Sequence, residues 1–119
     1  MGLDQYAYIR NIRNREDKQL CYWRKHPNLE GWMRNVWEQK GCPNAHEDCP
    51  DFNGVELELD QTMIDSLEKA VNEGTLPETR GFYFGQDSSD YYKQQDLQFI
   101  ADAREILSKG ERIYYCSSW

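Results

Sequence analysis

Three stretches of this chain repeat apolar residues at helical spacing, and each is followed by a glycine. The first is Leu29, Trp32, Met33, Val36 and Trp37, closed by Gly41. The second is Met63, Ile64, Leu67, Ala70 and Val71, closed by Gly74. The third is Tyr92, Phe99, Ile100, Ala103, Ile106 and Leu107, closed by Gly110. Such stripes bury one face of a helix, and glycine just past the end allows the left-handed turn that stops it. The starts are also marked. Pro27 suits a first helical position, where its missing N–H has no intrahelical partner. Asp60 can cap the second helix, and Ser88 or Ser89 the third. The spacing therefore predicts helices over about 27–40, 61–73 and 89–108.

The segments between them alternate with period two. Leu3 to Ile12 sets Tyr6 and Tyr8 on one face and Ala7 and Ile9 on the other, a strand pattern. Leu20 to Arg24 reads as a short strand or the lead-in to the first helix, after a polar loop over 11–19. Val55, Leu57 and Leu59 alternate with Glu56 and Glu58. "GFYFG" reads as an aromatic strand between two turns, and "RIYYC" from Arg112 to Cys116 as a last strand. The expected fold is α+β: a small, mainly antiparallel sheet with about three helices, in one domain spanning 1–119. The first and last strands are expected to pair near the centre of the sheet. At 119 residues the chain is long enough to bury a core without staples.

Charge limits the function. The net charge is −7, yet residues 1–40 hold eight Lys/Arg against five Asp/Glu, and 41–119 hold six against sixteen. A broad basic footprint is missing, which argues against general nucleic-acid binding. No apolar run approaches the roughly 18 residues of a membrane span, and the N-terminus has no signal-like apolar region. A cytoplasmic protein is expected, and its four cysteines then read as thiols or metal ligands rather than disulfides.

Three stretches are candidate sites. In "CYWRKHPN", Tyr22, Trp23, Arg24, Lys25 and His26 stand beside the start of the first helix. A helix N-terminus with a guanidinium can hold an anion, and an aromatic ring can stack a base or sugar. The plainer reading makes Tyr22 and Trp23 core residues, with Arg24 and Lys25 paired to the acidic part of the chain. In "GCPNAHEDC", Cys42, His46 and Cys49 have the spacing C-x3-H-x2-C, and Cys21 or His26 could complete a zinc site. The plainer reading is a polar turn with free thiols, and no cofactor is expected. In "GFYFGQDSSDYY", Phe82, Tyr83 and Tyr91 could line a ligand loop, or form a core strand between glycine turns. No recognisable oxyanion loop or orienting partner accompanies any Cys–His pair, so no catalytic residue is assigned.

"MGLDQYAY", "YWRKHPNLEGWM", "GFYFG" before an acidic tyrosine-rich helix, and "YYCSSW" occur in that order. In this the chain resembles a family of small proteins encoded by tailed bacteriophages, with members in marine cyanophages and related marine phages. The likeness spans nearly the whole chain. It implies a phage accessory protein acting in the infected host's cytoplasm. Some members carry the label phosphoglycerate kinase, which denotes a two-domain enzyme several times this length. A phosphate-cradling glycine loop is also missing here. The function expected is a non-enzymatic binding module for a host or phage protein or a small anionic metabolite. The alternatives are a small enzyme handling nucleotides or phosphometabolites, and a zinc-stabilised interaction module.

Overall fold

The computed structural model describes residues 3–11, 13, 16–45, 51–77 and 89–118, the last range without the side chains of 89–91. The chain builds β1 (Asp4–Arg10), β2 (Asp17–Arg24), α1 (Pro27–Gln39), β3 (Leu57–Leu59), α2 (Gln61–Glu73), α3 (Ser89–Ser108) and β4 (Arg112–Ser118). The fold is α+β. The four strands lie in the order β2-β1-β4-β3, and every neighbouring pair is antiparallel. The first and last strands are the two central ones. Among the described residues, no helix is long and apolar enough to cross a membrane.

The helices follow their sequence signals closely. Asp60 caps α2, its Oδ1 accepting the Met63 N–H at 2.9 Å. Gly74 ends the same helix at φ 66°, where a side chain would be strained. Pro27 opens α1, whose buried stripe runs through Leu29, Met33 and Trp37. Phe99, Ile100 and Ala103 bury the face of α3 against the same core.

Strand boundaries differ from the sequence reading: β1 is shorter, Asp4–Arg10, and β3 begins only at Leu57. β2 begins at Asp17, inside the segment read as a loop. Its first residues, Asp17, Lys18 and Gln19, are polar and exposed because β2 is an edge strand. The alternation is also broken there. Ala7 pairs with Cys21 and Tyr8 with Gln19, so Leu20 is an extra residue in a bulge. At the other end β4 continues two residues past Cys116, because β1 offers Gln5 and Asp4 as partners for Ser117 and Ser118. The "GFYFG" segment lies outside the described residues.

All three helices pack on one side of the sheet. That side presents Ala7, Trp23, Leu57, Leu59, Ile113 and Tyr115, each buried. Trp23 meets Phe99 edge-on at 5.0 Å between centroids, and Phe52 stacks on Tyr115 and meets Trp37 at a tilt. Aromatic contacts of this kind add about 0.5–1.5 kcal/mol each beyond the area they bury.

Candidate functional site

The aromatic and cationic residues that end β2 do not share a surface. Strand alternation sends Trp23 into the core and leaves Tyr22 and Arg24 on the opposite face. Lys25 then turns the chain at φ 57°, its N–H bonded to the Leu3 carbonyl at 2.9 Å, and stays exposed. The turn carries His26 back inside, fully buried. Arg24 Nη1 lies 3.3 Å from Asp4 Oδ1, the same oxygen that accepts the Tyr22 hydroxyl at 2.7 Å. Phe82 and Tyr83 lie outside the described residues.

Inside, His26 belongs to a polar network that the sequence reading did not anticipate. Its Nε2 is 2.8 Å from Asp96 Oδ2, and Trp23 Nε1 donates to Asp96 Oδ1 at 2.9 Å. The imidazole stacks on Tyr92 at 4.6 Å between centroids. Gln5 braces the backbone of His26 with both ends of its amide: Nε2 donates to the carbonyl at 3.0 Å, and Oε1 accepts the N–H at 2.7 Å. The same Nε2 donates to Tyr115 Oη at 2.9 Å. Tyr115 in turn donates to Glu30 Oε1 at 2.7 Å, and Ser117 Oγ donates to Glu30 Oε2 at 2.9 Å.

Gln5, His26, Glu30, Asp96, Tyr115 and Ser117 are all buried. Every buried side-chain polar atom among the described residues has a hydrogen-bond partner. Burial pushes the Glu30 carboxyl up to about 7, against the opposing pull of the Tyr115 and Ser117 hydroxyls. The Tyr115 phenol is raised well above its ordinary range, first by burial and then by the Glu30 charge. The arrangement ties the start of α1 and the middle of α3 to the two central strands. Its reactive groups are closed to solvent.

The other side of the sheet is built from similar residue types and faces water. Tyr6 pairs with Tyr22 at 5.1 Å, and both are more than a third exposed (36% and 37%). Tyr8 stacks on Tyr114 at 6.0 Å, and the Arg10 guanidinium lies 4.4 Å from the Tyr114 ring centre. Arg10 also bonds Asp17 at 2.9 Å and Glu56 at 3.2 Å, and Arg112 is 3.9 Å from Glu58. The Tyr8 hydroxyl is held protonated by partial burial and by its hydrogen bond to Glu56. Between the two tyrosine pairs lies a hollow of about 310 Å³, lined by Tyr6, Tyr8, Asp17, Gln19 and Cys116.

Of the expected zinc ligands, Cys42 is half-buried just past α1, its N–H bonded to the Trp37 carbonyl at 2.9 Å. His46 and Cys49 lie outside the described residues. Of the two residues considered as a fourth ligand, His26 is on Asp96 in the core. Cys21 is half-buried under Gln95, whose Nε2 lies 3.4 Å from the sulfur, and burial pushes its thiol up. Among the described residues no group of three or more His, Cys, Asp or Glu is placed to hold a metal. Cys21, Cys42 and Cys116 are free thiols.

The buried acids did leave a trace in the sequence. Asp96 follows Tyr92 by four residues and precedes Phe99 and Ile100 by three and four, so it falls on the apolar stripe of α3. Glu30 precedes Met33 and Trp37 by three and seven, which places it on the stripe of α1. A carboxylate inside an apolar stripe is the signature of a paired internal acid. No family model, curated protein or solved structure matches this chain.

Proposed function

We propose that this chain is a non-enzymatic binding module that docks a host or phage protein through the tyrosine face of its sheet. The setting we infer is a phage accessory role in the cytoplasm of the infected cell, as the likeness to small tailed-phage proteins implies. One observation carries the reading. The solvent side of the sheet displays Tyr6, Tyr8, Tyr22 and Tyr114, while its arginines are already matched by Asp4, Asp17, Glu56 and Glu58. Tyrosine and arginine are favoured anchors of protein interfaces, because a rigid ring offers area at small entropic cost. Arginines already held by carboxylates are poorly suited to phosphate, so a nucleotide, nucleic acid or phosphometabolite is a weaker match than a protein. The buried His26–Asp96 pair supports a structural role for the polar residues that an enzyme would need in the open.

The test compares the native chain with a Tyr6→Ser, Tyr114→Ser double variant as baits in extracts of infected host cells. A protein held stoichiometrically by the native chain and lost by the folded variant is the expected result. Equal retention by both would overturn the assignment of the tyrosine face. A retained small molecule seen by native mass spectrometry, with no protein partner, would overturn the protein reading.

A further inference from the structure

The edge of the sheet is treated differently along its length. An edge strand exposes unpaired backbone groups that invite another chain to pair. Along the C-terminal half of β2, α3 meets that demand. Gln95 Nε2 donates to the Tyr22 carbonyl at 2.6 Å, and the Tyr92 hydroxyl donates to the Arg24 carbonyl. Toward its C-terminus α3 leaves the strand. A groove of about 530 Å³ opens between residues 17–20 of β2 and the last turns of the helix. No strand flanks β2 on this side among the described residues.

The groove has two chemical zones. Ile9, Leu20 and Ile106 line it with apolar surface, and Leu20 and Ile106 are continuous with the core. Around them stand Glu16, Asp102, Glu105 and Glu111 with Lys18 and Lys109, while the Asp17 carboxylate is held by Arg10 on the tyrosine side of the sheet. On the helix side Asp102, Glu105 and Glu111 face a single cation, Lys109, which is engaged by Glu105 at 3.4 Å. On the strand side Asp17 is neutralised by Arg10, and Lys18 is exposed.

An apolar strip under an acidic rim, beside a strand edge that no described strand covers, matches one kind of occupant. We propose that this groove receives an extended, cationic segment of a partner protein, which adds to β2 as a fifth strand. Backbone pairing to residues 17–20 would supply affinity. An apolar side chain would reach Leu20 and Ile106, and flanking Lys or Arg would meet Asp102 and Glu111. The groove shares Asp17 and Gln19 with the tyrosine face, but its helix side, residues 102–109, does not, so shifts there separate the two assignments and either can fail alone.

The test uses the full ¹⁵N-labelled chain and three synthetic peptides of roughly eight residues, an ordinary strand length. One alternates Lys and Val, one Lys and Ser, one Glu and Val. Only the Lys–Val peptide is expected to shift the backbone amides of 17–20 together with those of 102–109. The Asp102→Lys, Glu111→Lys double variant should bind it about tenfold more weakly. Lys18→Glu, an exposed change that leaves the helix untouched, should bind it more tightly, and it keeps the test decisive should the double variant misfold. Equal shifts from the Lys–Ser peptide would reduce the effect to general attraction by an acidic surface and overturn the proposal. So would an undisturbed β2, or shifts centred on Tyr6 and Tyr114.

Discussion

Tyr114 and Tyr115 are adjacent in sequence and live in opposite solvents. Tyr114 stands on the wet side of the sheet, stacked on Tyr8 under the Arg10 guanidinium. Tyr115 is fully buried, held between Gln5 and Glu30. The carboxylates show the same division. Glu56 on the wet side has Arg10 as a counterion, whereas Glu30 on the dry side is held by two hydroxyls. In water an ion pair contributes little, since solvent already stabilises both charges. In the core each polar group depends wholly on its protein partners, and losing one is expensive. The inner face therefore sets stability, and the outer face carries little of it.

The most severe test of that contrast is Asp96→Ala. It removes the acceptor of the Trp23 indole N–H and breaks the contact of His26 Nε2 with Asp96 in the core, and should cost about 4 kcal/mol. Urea unfolding followed by tryptophan fluorescence reads this directly. A loss as small as that of a surface acid would break the claim that the inner network holds the fold.

Next comes pH. The Glu30 carboxyl titrates near 7 when folded and near its ordinary 4.5 when unfolded. The folded state thus binds the proton more tightly. Its contribution is fully present below pH 4.5 and is lost as pH rises through 7, on the order of 3 kcal/mol. Unfolding midpoints measured from pH 5 to 8 should fall with pH, and Glu30→Gln should flatten that slope. Asp17, Asp65 and Glu68, all lowered by hydrogen bonds from arginines, act in the opposite sense and in a separate window: stability they confer is lost only as pH drops below their ordinary range. A Glu30→Gln chain with an unchanged slope would remove Glu30 as the source.

The neighbouring tyrosines give a matched pair. Tyr115→Phe removes the donor to Glu30 and the acceptor of Gln5, and should cost about 2 kcal/mol. Tyr114→Phe should stay within about 0.5 kcal/mol. Equal losses would erase the distinction between the faces. A small structural effect is also expected for Arg10→Met. It breaks exposed pairs with Asp17 and Glu56, and should cost under about 1 kcal/mol, shrinking further in high salt. Thermal melts at low and high salt would show it.

Much of this fold can be read from the residues alone. The three helices, the Asp60 cap and the Gly74 stop follow from local pattern, and the central pairing of first and last strands is expected from the element order. What escapes is non-local. The start of β2 is hidden because an edge strand with a bulge at Leu20 shows no alternation. Strand alternation divides Tyr22, Trp23 and Arg24, but the return of His26 to the core depends on the left-handed turn at Lys25, an unusual conformation for a lysine that no local pattern announces. The network is hidden because Gln5, Glu30, Asp96 and Tyr115 meet only after the sheet and helices assemble. The expected metal ligand Cys42 is placed, while His46 and Cys49 lie outside the described residues, so the C-x3-H-x2-C spacing keeps the standing it has in the sequence.

The central position of β4 carries a consequence for how the chain leaves the ribosome. Gln5 and Tyr115 share a hydrogen bond across 110 positions of sequence. Until β4 has emerged from the exit tunnel, β1 has β2 on one side and an open edge on the other. Loop closure over so long a span is slow. The nascent hairpin therefore waits with its inner Tyr115 and Asp96 partners missing, and the polar core closes only once β4 is free to pair.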